Sequence, residues 1–145
     1  MRRSTYLSRM SATEAPTIVT GVDFVSVPTQ DLERAVEFYG TTLGLHRSMY
    51  KPERNFAEFE TGTVTLSVVN PERMGIGSFQ PNANHLALHV EDVGAARATL
   101  EERGVSFMGD TFDTGVCHMA FLADPDRNML MLHHRYAPRV PEGAG

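Results

Sequence analysis

The sequence predicts an α+β fold made of two βαβββ modules, and three features carry that expectation. The stretch Phe24-Val25-Ser26-Val27-Pro28-Thr29-Gln30-Asp31 returns 61 positions later as His85-Leu86-Ala87-Leu88-His89-Val90-Glu91-Asp92. Each copy is a short strand closed by an acid, the mark of an internal repeat. After each acid comes one helical face: Leu32, Ala35, Val36 and Tyr39 fall at i, i+3, i+4 and i+7, and Val93, Ala96 and Leu100 at i, i+3 and i+7. Three strand-like runs then follow each helix, separated by Gly and Pro signals.

The elements are justified in chain order. Residues 1–20 are polar and aperiodic and read as an N-terminal tail. The first module, 21–70, opens with a strand over Val22 to Val27. Pro28 ends it, having no amide hydrogen to donate to a ladder. Asp31 is an N-cap candidate for a helix running to Thr42, with Gly40 and Gly44 as stops. Strands are expected over Leu45 to Tyr50, Asn55 to Thr61 and Thr63 to Asn70. Residues 71–84, with Pro71, Gly75, Gly77, Pro81, Asn82 and Asn84, read as a linker without periodicity.

The second module, 85–134, repeats the order. A strand over His85 to Val90 leads into a helix over Asp92 to Arg103, with Gly104 as a left-handed C-cap. Strands then cover Val105 to Met108, Gly115 to Ala123 and Asn128 to His134. The last two flank Asp124-Pro125-Asp126-Arg127-Asn128, where Pro125 suits a type I turn and Arg127 occupies a left-handed position. Residues 135–145 read as a C-terminal tail.

Composition narrows the function. At 145 residues and 41% apolar, the chain suits one compact unit with a real core. Its 13 Lys and Arg against 18 Asp and Glu leave a net charge of -5, with no clustered basic stripe, so nucleic acid is not an expected partner. The single cysteine, Cys117, cannot close an internal disulfide and points to a reducing compartment. No apolar run suits a signal peptide or a membrane span. A cytoplasmic protein without a membrane partner is expected, and Met10 stays open as an alternative start.

The run Asp-Leu-Glu-Arg-Ala-Val-Glu-Phe-Tyr with Leu43-Gly44-Leu45, the later Glu-Arg-Gly-Val, and the closing Asp-Pro-Asp-x-Asn-x-Leu resemble the vicinal oxygen chelate superfamily. That group includes glyoxalase I, extradiol dioxygenases, fosfomycin-modifying enzymes and bleomycin-resistance binding proteins. The resemblance covers residues 21 to 134. It implies two modules forming a partly open mixed β-barrel cleft, a helix packed outside each module, and a homodimer. In metal-using members the first and last strand of each module supply one ligand each. Carried over, those positions are Phe24, Ser67, His85 and Met131, where the family has His or Gln, Glu, His and Glu.

Three of the four do not suit a divalent ion, which wants imidazole nitrogen or carboxylate oxygen. The expectation is therefore a cleft with no metal and no cofactor that holds a small organic molecule. Strand alternation aims Phe24, Ser26, Thr65, Ser67, Val69, His85, Ala87, His89, Met129, Met131 and His133 into that cleft. Phe24, Ser26, Ser67, Val69, Met129 and Met131 are the expected ligand contacts. His85, His89 and His133 are candidate acid or base groups near neutral pH. Two alternatives stay open. One is a lyase or dioxygenase whose metal sits on a displaced set of His85, His89 and His133, and the other is a structural or regulatory dimer whose cleft is filled by its own side chains. The hairpin turn sets His118 across from either His133 or His134, and Glu58 and Glu60 cannot be oriented from the pattern.

Overall fold

A computed structural model describes residues 15–140. Of the expected tails, residues 1–14 and 141–145 lie outside the described residues. The first module contains β1 (Phe24–Pro28), α1 (Leu32–Val36) continuing as a π-helical stretch (Glu37–Thr42), β2 (His46–Lys51), a 3-10 turn (Pro52–Arg54), β3 (Phe56–Glu60) and β4 (Thr65–Val69). After α2 (Pro71–Met74) the second contains β5 (Leu86–His89), α3 (Val93–Glu102), β6 (Phe107–Asp113), β7 (Cys117–Ala123) and β8 (Met129–Arg135).

The repeat is visible in the helix starts. The Asp31 side chain accepts from the Arg34 amide and that of Asp92 from the Ala95 amide, each satisfying a donor that a helix N-terminus leaves open. Gly104 takes φ +90, the left-handed value expected after α3, and Arg127 takes φ +69. Two expectations need correction. The segment 71–84 begins with one helical turn, because Pro71 is preset for a first helical position and the Asn70 side chain caps it from the Arg73 amide. The strand placed at Val105 to Met108 starts later and runs longer, with a register shift between Met108 and Phe112 around Gly109, whose φ is +70.

The modules form two four-stranded sheets, β1-β4-β3-β2 and β5-β8-β7-β6. In each, the first strand runs parallel to the last and the other pairs are antiparallel. Each helix covers one face of its sheet. On those helix faces Val27, Phe59, Leu66, Val68, Leu122, Leu130 and Leu132 are buried, and they join Phe38, Tyr39, Val93 and Leu100 in one cluster spanning both modules. The π-helical stretch places the consecutive Phe38 and Tyr39 together in that cluster, with ring centroids 5.1 Å apart edge to face.

The hairpin turn of the second module clasps the first. Asp126 accepts from Thr29 Oγ1 at 2.6 Å, the Gln30 amide at 2.9 Å and Arg34 Nη2 at 3.2 Å. Asp124 accepts from the Tyr39 hydroxyl at 2.6 Å, and Asn128 Nδ2 donates to the Pro28 carbonyl at 2.7 Å. All three side chains are buried, and the bonds from Thr29 and Tyr39 form away from water.

Candidate functional site

Strand register distributes the expected site residues. On the first sheet, the face away from the helices carries Phe24 opposite Thr65, Ser26 opposite Ser67, and Pro28 opposite Val69. The second sheet carries Ala87 opposite Met131, and His89 opposite His133, which in turn faces Met119. His85 immediately precedes β5, and its ring meets that of Phe121 edge on, 4.9 Å between centroids. Met129 pairs with Ala123 on the same face. The inner and outer parities match the expected ones: Val27 is buried while Phe24 is 57% exposed.

The two cleft faces do not close over one another within a chain. Among the described residues no hydrogen-bonded strand pair joins the sheets, and both helix faces share the core, so the cleft faces turn outward. Both expose large apolar side chains. Phe24 and Met49 are exposed on the first, and Met108 and Phe112, at 44% and 56%, on the second.

The register also orients residues the pattern left open. Glu58 lies opposite Ser67 and Glu60 opposite Thr65, so both carboxylates belong to the first cleft face while Ala57 and Phe59 are buried behind them. Ser48 and Thr65 hydroxyls donate to Glu60 at 2.5 and 2.7 Å and hold its carboxyl below the usual range. The signal was present in Phe56-Ala57-Glu58-Phe59-Glu60: with Phe59 and Ala57 inward, both acids must face outward.

Register and ring contacts fix the company each second-module histidine keeps. His118 pairs in register with His134, not His133. Its Nε2 lies 3.5 Å from Asp113, whose carboxyl is held below the usual range, first by the Gly115 amide and then by the Tyr136 hydroxyl. His89 Nε2 sits 2.6 Å from Glu91 Oε2, a bond that lowers the Glu91 carboxyl. His89 and His133 are register partners across β5 and β8, but the ring that His89 meets is that of His134, 5.7 Å between centroids, and His85 stands apart against Phe121.

The positions that correspond to metal ligands do not fit a divalent ion. Phe24 has no donor atom, Ser67 offers a neutral hydroxyl, Met131 a soft thioether, and His85 one nitrogen. Among the described residues no three His, Cys, Asp or Glu side chains converge to hold a metal, which includes His85, His89 and His133. A separate pocket of about 530 Å³ lies between the modules on the helix side, and His89 alone of the expected contact and acid–base residues borders it. Among the described residues no helix is long and apolar enough to cross a membrane.

A model of the Glyoxalase/Bleomycin resistance protein/Dioxygenase superfamily matches residues 21–132. YraH of Bacillus subtilis strain 168, an uncharacterized protein, is 29% identical over 114 residues, 71% of this chain and 89% of that one. Among solved structures, TnmS3, an antibiotic binding protein from Streptomyces sp. CB03234, is 27% identical with a TM-score of 0.68, covering 83% of this chain and 99% of that one. Lactoylglutathione lyase from Agrobacterium tumefaciens is 16% identical with a TM-score of 0.70, covering 80% and 94%, a likeness of fold alone.

Proposed function

Since the chain belongs to the glyoxalase/bleomycin resistance protein/dioxygenase superfamily, we propose that it binds a small organic molecule on its cleft faces without a metal ion. The observation that carries this reading is the donor set itself: a phenyl ring, a hydroxyl, one imidazole and a thioether stand where the family's chelating residues are placed by resemblance. Removing imidazole and carboxylate removes the Lewis-acid anchor but leaves apolar area for an organic ligand. Phe24, Val69, Met129 and Met131 supply contact, and Ser26, Ser67 and His85 orient polar groups. The antibiotic-binding neighbour supports ligands of that kind.

The site is completed by a second copy, in which the first sheet of one chain faces the second sheet of the other. Each face alone is too open to bury most of a ligand, and two faces of complementary character form a hollow. A homodimer is therefore part of the reading.

Elemental analysis of protein purified without chelator, with a thermal-shift panel of aromatic antibiotics, tests it. The expected result is well below one metal equivalent and a ligand whose affinity falls about tenfold, about 1.4 kcal/mol, in Phe24→Ala or Met131→Ala. One equivalent of Fe, Zn, Ni or Mn that disappears in His85→Ala would sink it.

The register pairing of His89 with His133, with Glu91 bonded to His89, favours a second reading in which the cleft also performs acid and base chemistry. In that case His133→Ala lowers turnover of a bound compound far more than its affinity. Unchanged turnover in both His133→Ala and His85→Ala removes it.

A further inference from the structure

The two modules meet at two junctions that the repeat makes comparable. Counted from the N-caps Asp31 and Asp92, Phe38 and Tyr39 after α1 correspond to Thr99 and Leu100 of α3. At the first junction the two aromatic rings pack edge to face, and the β7–β8 turn reaches across to anchor the Tyr39 hydroxyl on Asp124. A more open groove of about 440 Å³ remains there beside Phe38 and Pro125, with the charged residues Arg103 and Asp124 on its lining.

The second junction has neither device. Its β3–β4 turn, Thr61-Gly62-Thr63-Val64, bonds to itself: Thr61 Oγ1 donates to the Val64 carbonyl at 2.6 Å and accepts from the Val64 amide at 3.1 Å. Among the described residues no hydrogen bond joins this turn to the second module. With Thr99 and Leu100 in place of two aromatic rings, the junction keeps a cavity of about 530 Å³. Small-molecule pockets span roughly 300–1,000 Å³.

We propose that this junction is a second binding site, separate from the cleft faces apart from His89, which borders both, for an uncharged aliphatic molecule ending in a hydroxyl or carbonyl. Its walls are mostly aliphatic, Leu43, Leu45, Leu66, Leu86, Leu88 and Leu100 among them, and among the described residues no Phe or Tyr ring lines it. Such walls favour chains and saturated rings over stacked aromatics. Thr63, Thr99 and His89 supply donors and acceptors along the lining. Among the described residues no Lys or Arg lines the site, so an anionic head group would lose water there without gaining a counter-charge.

Calorimetric titration of the full chain with 1-decanol, and with decanoate as its charged counterpart, tests the site. The expected result is saturable binding of 1-decanol, at least tenfold tighter than decanoate. Thr99→Phe, which places at α3 the ring that Phe38 places after α1, lowers decanol affinity at least tenfold. Ala96→Leu, on the same wall, does the same if Thr99→Phe does not fold. Because neither residue lies on a cleft face, ligands of those faces bind both variants unchanged, so this site and the cleft fail separately.

No saturable heat with 1-decanol overturns the proposal, as does equal affinity for decanoate or undiminished binding to both variants. Sedimentation is the further measurement. A wild-type dimer that Thr99→Phe dissociates shows that a second copy of the chain occupies the junction, and overturns it too.

Discussion

Tyr39 shows how one side chain can be both core and tie. Burial first, and then the neighbouring Asp124 carboxylate, push its phenol far above the usual range, so it stays a protonated donor at every working pH. Tyr39→Phe keeps the ring and removes the 2.6 Å bond, leaving Asp124 with the Asp126 and Asn128 amides and Asn128 Nδ2. The expected cost is about 1–3 kcal/mol in denaturant unfolding, with the slope unchanged. Asp113 makes a prediction of different form. Its carboxyl is lowered in the folded chain, so its contribution is present above the ordinary aspartate value and is lost as pH falls through the lower folded value. The melting temperature of Asp113→Asn should trail the wild type near pH 7, and the gap should close below about pH 4. A constant gap from pH 7 to pH 3 contradicts the assignment. At this scale the sequence identified residue type but not company: the alternation that put Phe24 and Met131 on the cleft side was legible, whereas the pairing of His118 with His134 waited on a hairpin register.

The helices were the most legible elements, since Asp31 and Asp92 announce their starts and apolar spacing their buried faces. Their ends differ for a local reason. After α1 the Leu43 amide reaches back to the Phe38 carbonyl, a five-residue closure that widens the helix, whereas α3 ends at Gly104 in a left-handed turn. Gly104→Ala puts a Cβ into that backbone conformation and should cost about 1 kcal/mol, while Ala98→Gly, on an exposed stretch of the same helix, costs a similar amount through backbone entropy alone. Combining them should give an additive loss, because the two act through separate mechanisms. The irregular length of β6 was not legible, because a bulge near Gly109 depends on which partner residues β7 presents.

The whole molecule is two similar halves joined by an unequal pair of contacts. One junction is clasped by the Asp124 to Asn128 turn, which reaches Pro28, Thr29, Gln30, Arg34 and Tyr39 of the other half. Asp126→Ala removes the acceptor of three of those bonds and should cost about 3 kcal/mol. Hydrogen exchange should rise first at the Gln30 amide, where the clasp is lost, and protection confined to unchanged values there would show that the clasp contributes little. The Asp-Pro-Asp-x-Asn run looked like turn chemistry in the sequence, and the turn is there, but its three polar side chains serve the other module. By itself the sequence determined the repeat, the helix starts and the two faces of each strand, because all of these follow from spacing along one chain, whereas the poor donor set was read only through the family resemblance. Only the tertiary structure decided that the helix faces meet each other, that the cleft faces turn outward, and that one junction is clasped by a turn of the other module while at its counterpart the turn bonds to itself. Those outcomes depend on contacts between residues as far apart as Tyr39 and Asp124, whose partners no local pattern specifies.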